Sequence, residues 1–300
     1  MAVASGKVIL LGEHAVVYGH TAIVAGIDNG AEASVVIDGT SIITVGDHAA
    51  RLNQGVLGVA FSELLKALDT PPLRAKVRLN VPPGCGLGAS AAAGVALARA
   101  ALNLFEPAQS ESAIQRKTIL RAAHAWEKVF HGNPSGIDAT AATIGGCFAF
   151  DRGTGPESLM LPRPMQLAVA VADAPAETRS VVAKVAKLRK RDPPRINGIL
   201  EQIAELVAEA RHAMQQGETD HLGQLMNANH ALLQGLAVST PKLDEACITA
   251  LQAGALGAKL TGSGGGGCVI ALCDSSTEPV LQAWKSRSLS CFSVTVHASN

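Results

Sequence analysis

Pro82-Pro-Gly-Cys-Gly-Leu-Gly-Ala-Ser-Ala91 separates two segments of opposite character. Upstream, Ala75-Lys-Val-Arg-Leu-Asn-Val81 alternates apolar and polar residues, the period of a half-buried strand. Downstream, an alanine-rich run from about Ser90 to Leu104 reads as helix. A glycine-rich loop that leads into a helix cradles anions for a physical reason. The first backbone N–H groups of a helix lack partners and point outward, and the helix dipole adds positive potential there. Glycine also lets the main chain approach phosphate oxygens without a Cβ in the way. The loop therefore predicts a phosphate site. Its structural alternative is a turn in which Ser90 caps the helix, and the two readings are compatible.

Generic nucleotide patterns mislead here. Gly84, Gly86 and Ala89 satisfy G-x-G-x-x-A, and Gly262, Gly264 and Gly267 satisfy G-x-G-x-x-G. A dinucleotide-binding first strand is buried on both faces and reads as a continuous apolar run, whereas Lys76, Arg78 and Asn80 alternate through this one. The second match runs into a strand and not a helix. Gly6-Lys7 lacks the upstream glycine of a P-loop and is followed by Val8.

Working outward, the opening is strand-like from Lys7 to Leu11, followed by a Gly-Glu-His turn and then Ala15 to Tyr18. Separate strands are expected at Ala22–Ala25, Ala33–Ile37 and Ile42–Val45, and a helix at Gln54–Leu68. After the alanine-rich helix come a second helix over about Ser112–Phe130, the loop His131-Gly-Asn-Pro-Ser-Gly136, a short helix and a strand at Cys147–Phe150. Asp151 to Pro164 is rich in Gly and Pro without apolar period, and a domain boundary is placed there. Beyond it the pattern predicts a strand at Gln166–Asp173, a helix at Thr178–Arg189 and two long helices between Arg195 and Gln234. A helix opened by Pro241, strands near Ala258–Leu260 and Cys268–Cys273, a helix near Glu278–Arg287 and a strand at Phe292–His297 follow. These elements make an α+β chain of two domains, 1–160 and 161–300.

Composition bounds the function. The 300 residues are 48% hydrophobic but only 3% aromatic, so the core is filled by aliphatic side chains and alanine. Lys plus Arg equals Asp plus Glu, 25 against 25, which argues against nucleic acid or an anionic membrane as partner. The six cysteines form no C-x-x-C pair and read as small buried hydrophobes of a reducing compartment. No apolar run approaches the ~20 residues of a spanning helix, and no leader precedes the first motif. A soluble, cytoplasmic protein is expected. The basic run Lys184, Lys187, Arg189, Lys190, Arg191 and Arg195 reads as a solvated helix end.

Three separated segments carry a specific resemblance. Gly6-Lys-Val-Ile-Leu-Leu-Gly-Glu-His-Ala-Val-Val-Tyr-Gly19, the 82–91 loop and Lys259-Leu-Thr-Gly-Ser-Gly-Gly-Gly-Gly267 resemble, in order and approximate spacing, the three motifs of the GHMP kinase superfamily. Within it, Glu13-His-Ala-Val-Val-Tyr-Gly19 and His131-Gly-Asn-Pro-Ser-Gly-Ile-Asp138 are most similar to the mevalonate-phosphorylating branch. The chain departs from the family at Ser5, where Pro is common, and at Ala89, where the first of two serines usually stands.

The resemblance implies a GHMP-kinase-like fold: an N-terminal ribosomal-S5-like α/β domain with the ATP-binding and catalytic residues, a C-terminal ferredoxin-like domain closing the site, and the active site between them. It implies ATP as co-substrate, Mg2+ as cofactor and mevalonate as substrate, with a homodimer compatible with it. Pro83, Gly84, Gly86, Leu87, Gly88, Ala89, Ser90 and Ala91 are its phosphate-binding candidates, and Ser90 and Glu127 its metal ligands. Asp138 is its catalytic base, with Lys7 beside the reacting hydroxyl. Glu13, His14, Gly136, Ile137, Thr178 and Gly262 are its substrate-side residues. Glu127 also carries a physical hint. It falls near the carboxyl end of its helix, where the dipole disfavours a carboxylate unless a cation is near. His124 and His131 read as structural. Competing readings are a phosphomevalonate or sugar kinase of the same superfamily, and a metabolite sensor without turnover.

Overall fold

The computed structural model describes residues 1–106, 110–132 and 134–297; Asn133 of the loop before Asp138 lies outside them. The chain forms two compact units. One gathers Met1–Lys7, Asp28–Pro83 and Gly88–Gly145, the other Val8–Ile27, Gly84–Leu87 and the chain from Gly146 onward.

In the first unit, strand β1 (Ala2–Leu11) pairs with β2 (Ala22–Ile37), and β2 pairs antiparallel with β5 (Leu73–Leu79). The short strands β3 (Ile42–Val45) and β4 (His48–Arg51) complete the order β4-β3-β5-β2, with β3 and β5 parallel. Alternation in β5 fixes its faces: Leu73, Ala75 and Val77 are buried while Arg74, Lys76 and Arg78 point outward. Against the apolar face pack α1 (Gly55–Leu68) and α2 (Ala89–Phe105), and on these helices pack α3 (Ala113–His131) and α4 (Ile137–Ile144). Alanines 91–93 and 96 of α2 let these helices approach closely, and Gly94 faces the Trp126 ring, where a Cβ would lie 2.8 Å from Cδ1. Ser112 starts α3 with a capping box closed by Gln115.

The second unit is built on an antiparallel sheet of order β11-β8-β10-β9, formed by β8 (Met165–Asp173), β9 (Gly257–Thr261), β10 (Gly267–Cys273) and β11 (Ser290–Val296). Four helices lie between β8 and β9: α5 (Thr178–Arg191), α6 (Pro193–Gln216), α7 (Thr219–Gly235) and α8 (Pro241–Gln252). One more, α9 (Glu278–Ser286), lies between β10 and β11. This is the β-α-β-β-α-β order of a ferredoxin-like layer. Its core joins Ala168, Leu260, Val269 and Trp284 to Ala15 of a 3₁₀ turn at Ala15–Tyr18. The first residues of β2 pair here with β6 (Cys147–Asp151), which pairs with β7 (Gly155–Ser158).

Three local expectations change. Ala22 to Ile37 is one strand and not two, because Gly30 is a point of close approach and not a turn. A Cβ there would sit 2.0 Å from the Ala4 carbonyl oxygen. The strand-like Ala15–Tyr18 closes into a 3₁₀ turn after His14 adopts φ 62°. Within the Gly/Pro-rich 151–164 stretch lies the short strand β7, whose Pro156 is tolerated on a strand that pairs on one side.

Candidate functional site

Alternate glycines of the 82–91 loop take left-handed backbone, with φ of +78° at Gly84, +78° at Gly86 and +72° at Gly88. Gly88 is the N-cap of α2 and offers no side chain, so the first amides of the helix are left for an outside acceptor. Ser90 does not cap. It is the second helical residue, and its hydroxyl is turned to another partner. Pro83 and Gly84 are exposed, Gly86, Gly88 and Ser90 half-buried, and Leu87, Ala89 and Ala91 buried. Left-handed glycines leading into a helix start without a side-chain cap suit a phosphate.

Beside that helix start, four candidate side chains of the first unit, Lys7, Ser90, Glu127 and Asp138, meet. Lys7 Nζ lies 3.2 Å from Asp138 Oδ1; the lysine side chain is 6% exposed and the aspartate 38%. Lys7 is buried because β1 pairs with β2, and Gly88 leaves room for its stem: a Cβ at Gly88 would lie 3.2 Å from Lys7 Cγ. Asp138 sits in the first turn of α4, where the dipole favours a carboxylate, behind the N-cap Gly136 at φ +84° and the buried Ile137. The Ser90 hydroxyl donates to Glu127 Oε1 at 2.5 Å, and the Trp126 indole N–H donates to the Ser90 carbonyl at 3.0 Å.

Glu127 is almost wholly buried, and its carboxyl is pushed up from 4.5 to about 7. Burial is the main cause and the Asp138 charge adds to it; the Ser90 hydroxyl and the Lys7 charge act the other way. His131 Nε2, one helical turn on, stands 3.6 Å from Glu127 Oε2. The cation that the dipole reasoning asks for is thus present twice over, as Lys7 and as His131 when protonated. His131 reads from the sequence as structural, and its i,i+4 spacing from Glu127 is the local signal for its place here.

The donors at Ser90 and Glu127 fit a hard divalent cation. Both donor atoms are oxygens, and the carboxylate is buried. Among the described residues no cluster of three or more His, Cys, Asp or Glu could hold a metal by itself.

In the second unit, Glu13 and Lys259 form a fully buried ion pair, 1% and 0% exposed. Lys259 Nζ also donates to the carbonyls of Leu260 at 2.6 Å and Ile9 at 3.4 Å, and Asn229 Nδ2 donates to Glu13 Oε2 at 3.3 Å. Burial pushes the lysine down, opposed by the Glu13 charge. Both oxygens of Glu13 are therefore engaged inside the protein. The next residue, His14, stands at φ 62° with Nε2 2.8 Å from the Ser263 carbonyl, and burial lowers its pKa. Thr178, exposed at the start of α5, accepts from the Ser263 hydroxyl at 3.3 Å. Gly262 at φ +88° packs on Gly86, where a Cβ would meet the Gly86 Cα at 3.4 Å. Lys259 and Asn229 carry no local sequence signal, since their partner Glu13 lies more than 200 residues away.

Three residues of the basic run have partners within the protein. Lys184 donates to the Ala237 carbonyl, Arg195 to that of Gly235, and Arg189 stacks over the Tyr18 ring at 4.6 Å. No helix among the described residues is long and apolar enough to cross a membrane.

Comparison with known proteins adds the following. Residues 55–146 match the family described as GHMP kinases N terminal domain, and residues 210–288 the one described as GHMP kinases C terminal. The chain is 36% identical to a mevalonate kinase of Aeropyrum pernix, over 90% of this chain and 87% of that protein. It is 33% identical to the mevalonate kinase of Pyrococcus furiosus, over 94% of this chain and 92% of that one. Among solved structures, that of L. major mevalonate kinase in complex with R-mevalonate superposes with a TM-score of 0.88 at 32% identity, covering 99% of this chain and 95% of the other.

Proposed function

Because the chain belongs to the GHMP kinases, we propose that it transfers the γ-phosphoryl group of ATP to the 5-hydroxyl of mevalonate, giving 5-phosphomevalonate and ADP. The observation that carries this reading is the Lys7–Asp138 ion pair at 3.2 Å, set beside the start of α2 and the Ser90–Glu127 pair. The names of the relatives supply the substrate class.

Phosphoryl transfer asks little covalent chemistry of a protein and much positioning and charge stabilisation. Asp138 accepts the proton of the substrate hydroxyl at its half-exposed carboxylate. The hydroxyl oxygen forms a bond to the γ-phosphorus while the bond from that phosphorus to the bridging oxygen breaks, its electron pair leaving with ADP. Lys7, paired with Asp138, stabilises the negative charge that develops on the reacting oxygen. The amides of the 84–91 loop and the first turn of α2 bind the nucleotide phosphates. Ser90 and Glu127 would hold magnesium, which when bound neutralises the phosphate charge during transfer.

Mevalonate is recognised by His14, Thr178, Gly262 and the Gly136–Ile137 turn that presents Asp138. Glu13 serves this role from within, by fixing the turn that carries His14. A 1–160 segment with the nucleotide and base, and a 161–300 segment with Thr178 and Gly262, is the division of labour we assign. The test is ³¹P NMR of the protein with ATP, magnesium and mevalonate. A phosphomonoester resonance growing in step with ADP is expected. ATP that stays intact, or that yields only inorganic phosphate, would overturn the assignment.

A further inference from the structure

Arg99 lies well away from the loop and bears no part of the proposed chemistry, yet all five of its N–H donors are spent on the elements that do. Nε and Nη2 hold the two carboxylate oxygens of Glu111, the latter at 3.3 Å. Nη1 donates to the Val3 carbonyl at 2.9 Å and the Ala142 carbonyl at 3.3 Å, and Nη2 donates to the Thr143 carbonyl at 2.6 Å. Val3 is on β1, four residues before Lys7. Ala142 and Thr143 are in the last turn of α4, whose first turn holds Asp138. Arg99 itself is on α2, whose start holds Ser90. Glu111 directly precedes Ser112, the cap of the α3 helix that holds Glu127.

We propose that Arg99 is a positioning residue, one that sets the separation of Lys7 and Asp138 by tying β1 to the carboxyl end of α4. The physical basis is the shortness of α4. It has eight residues, and its last carbonyls have no intrahelical partner. Gly145 takes the Ala141 carbonyl, and Arg99 takes the next two. With those carbonyls tied through one rigid planar group to the Val3 carbonyl, sliding of α4 along β1 would break three hydrogen bonds together. Lysine has three donors on a flexible stem and cannot reproduce the five-way fork. The Glu111 carboxylate fixes the guanidinium plane from its other edge, with side chains 17% and 27% exposed.

The proposal rests on the functional reading above, and its test separates the two. In Arg99→Met and Arg99→Lys, kcat with both substrates saturating is expected to fall about 100-fold and about 10-fold, since misplacement by ~1 Å can cost that much. The KM values for ATP and mevalonate should stay within about twofold in both. In parallel, ¹⁵N NMR of the lysine ammonium groups reads the Lys7–Asp138 pair without turnover, and its Lys7 signal is expected to shift in Arg99→Met. A folded Arg99→Met protein with wild-type kcat would overturn the proposal. So would KM values rising in proportion as kcat falls, or an unmoved Lys7 signal. Should the wild-type protein fail to phosphorylate mevalonate, the functional reading falls, and the Lys7 signal alone decides on Arg99.

Discussion

Glu127→Gln removes a negative charge from the interior of the first unit and leaves a side chain of the same shape, still able to accept from the Ser90 hydroxyl. Burial has moved this carboxyl from 4.5 to about 7, which at 1.36 kcal/mol per pH unit is worth about 3 kcal/mol. The sign follows from proton counting. Between pH 4.5 and 7 the folded state holds a proton that the unfolded state has released, so stability declines as pH rises through that window. Above pH 7 the folded protein carries the full penalty of an ionised buried carboxylate, and below pH 4.5 it carries none. The glutamine variant never carries it, and every other titrating group is common to both proteins. Urea unfolding in EDTA at pH 5, 6, 7 and 8 should therefore show Glu127→Gln more stable by roughly 3 kcal/mol at pH 8, with the gap reduced to about 1 kcal/mol at pH 5. The variant should at the same time lose most of its turnover, a stability–activity trade expected of a charge kept for binding a cation. A stability difference that does not change with pH, or a wild type that gains on the variant as pH rises, would refute the reasoning.

Other consequences are more compact. Asp138→Asn should keep the fold and ATP binding but reduce kcat roughly 10²- to 10⁴-fold, the usual worth of a general base; turnover near that of the wild type in a steady-state assay would remove Asp138 from that role. Lys259→Met leaves the Glu13 carboxyl without its cation in a sealed interior and should cost about 3–5 kcal/mol in chemical unfolding, whereas Glu13→Gln combined with Lys259→Met should recover much of it; equal losses in the single and double variants would contradict the pairing. Gly88→Ala forces a side chain into left-handed backbone at φ +72° and against the Lys7 stem, so kcat should fall by an order of magnitude or more while the circular dichroism spectrum stays unchanged.

What could be read from the sequence was what is local. The alternation in β5, the Pro241 that opens α8, and the glycine loop each announce themselves within a dozen residues. The Lys7, Ser90, Glu127 and Asp138 set came from the family resemblance, and the fold brings these four together at one helix start. What escaped was non-local. The single strand Ala22–Ile37 reads as two, because nothing nearby in the chain shows that the Ala4 carbonyl presses on Gly30. Arg99 and Lys259 look like ordinary cations until strands and helices from distant parts of the chain surround them. Glu13 was expected to face a metabolite, but its two oxygens are already taken by residues that no spacing rule connects to it.

The central claim, that this chain phosphorylates mevalonate, is tested most directly by ADP release with magnesium and ATP on mevalonate, phosphomevalonate, galactose and homoserine offered separately. The account predicts saturable turnover on mevalonate, with kcat/KM at least about 10²-fold above the other three, the discrimination a site gains when its buried polar groups are left unpaired by the wrong substrate. Turnover on one of the other three with none on mevalonate, or silence on all four while ATP still binds, would contradict it.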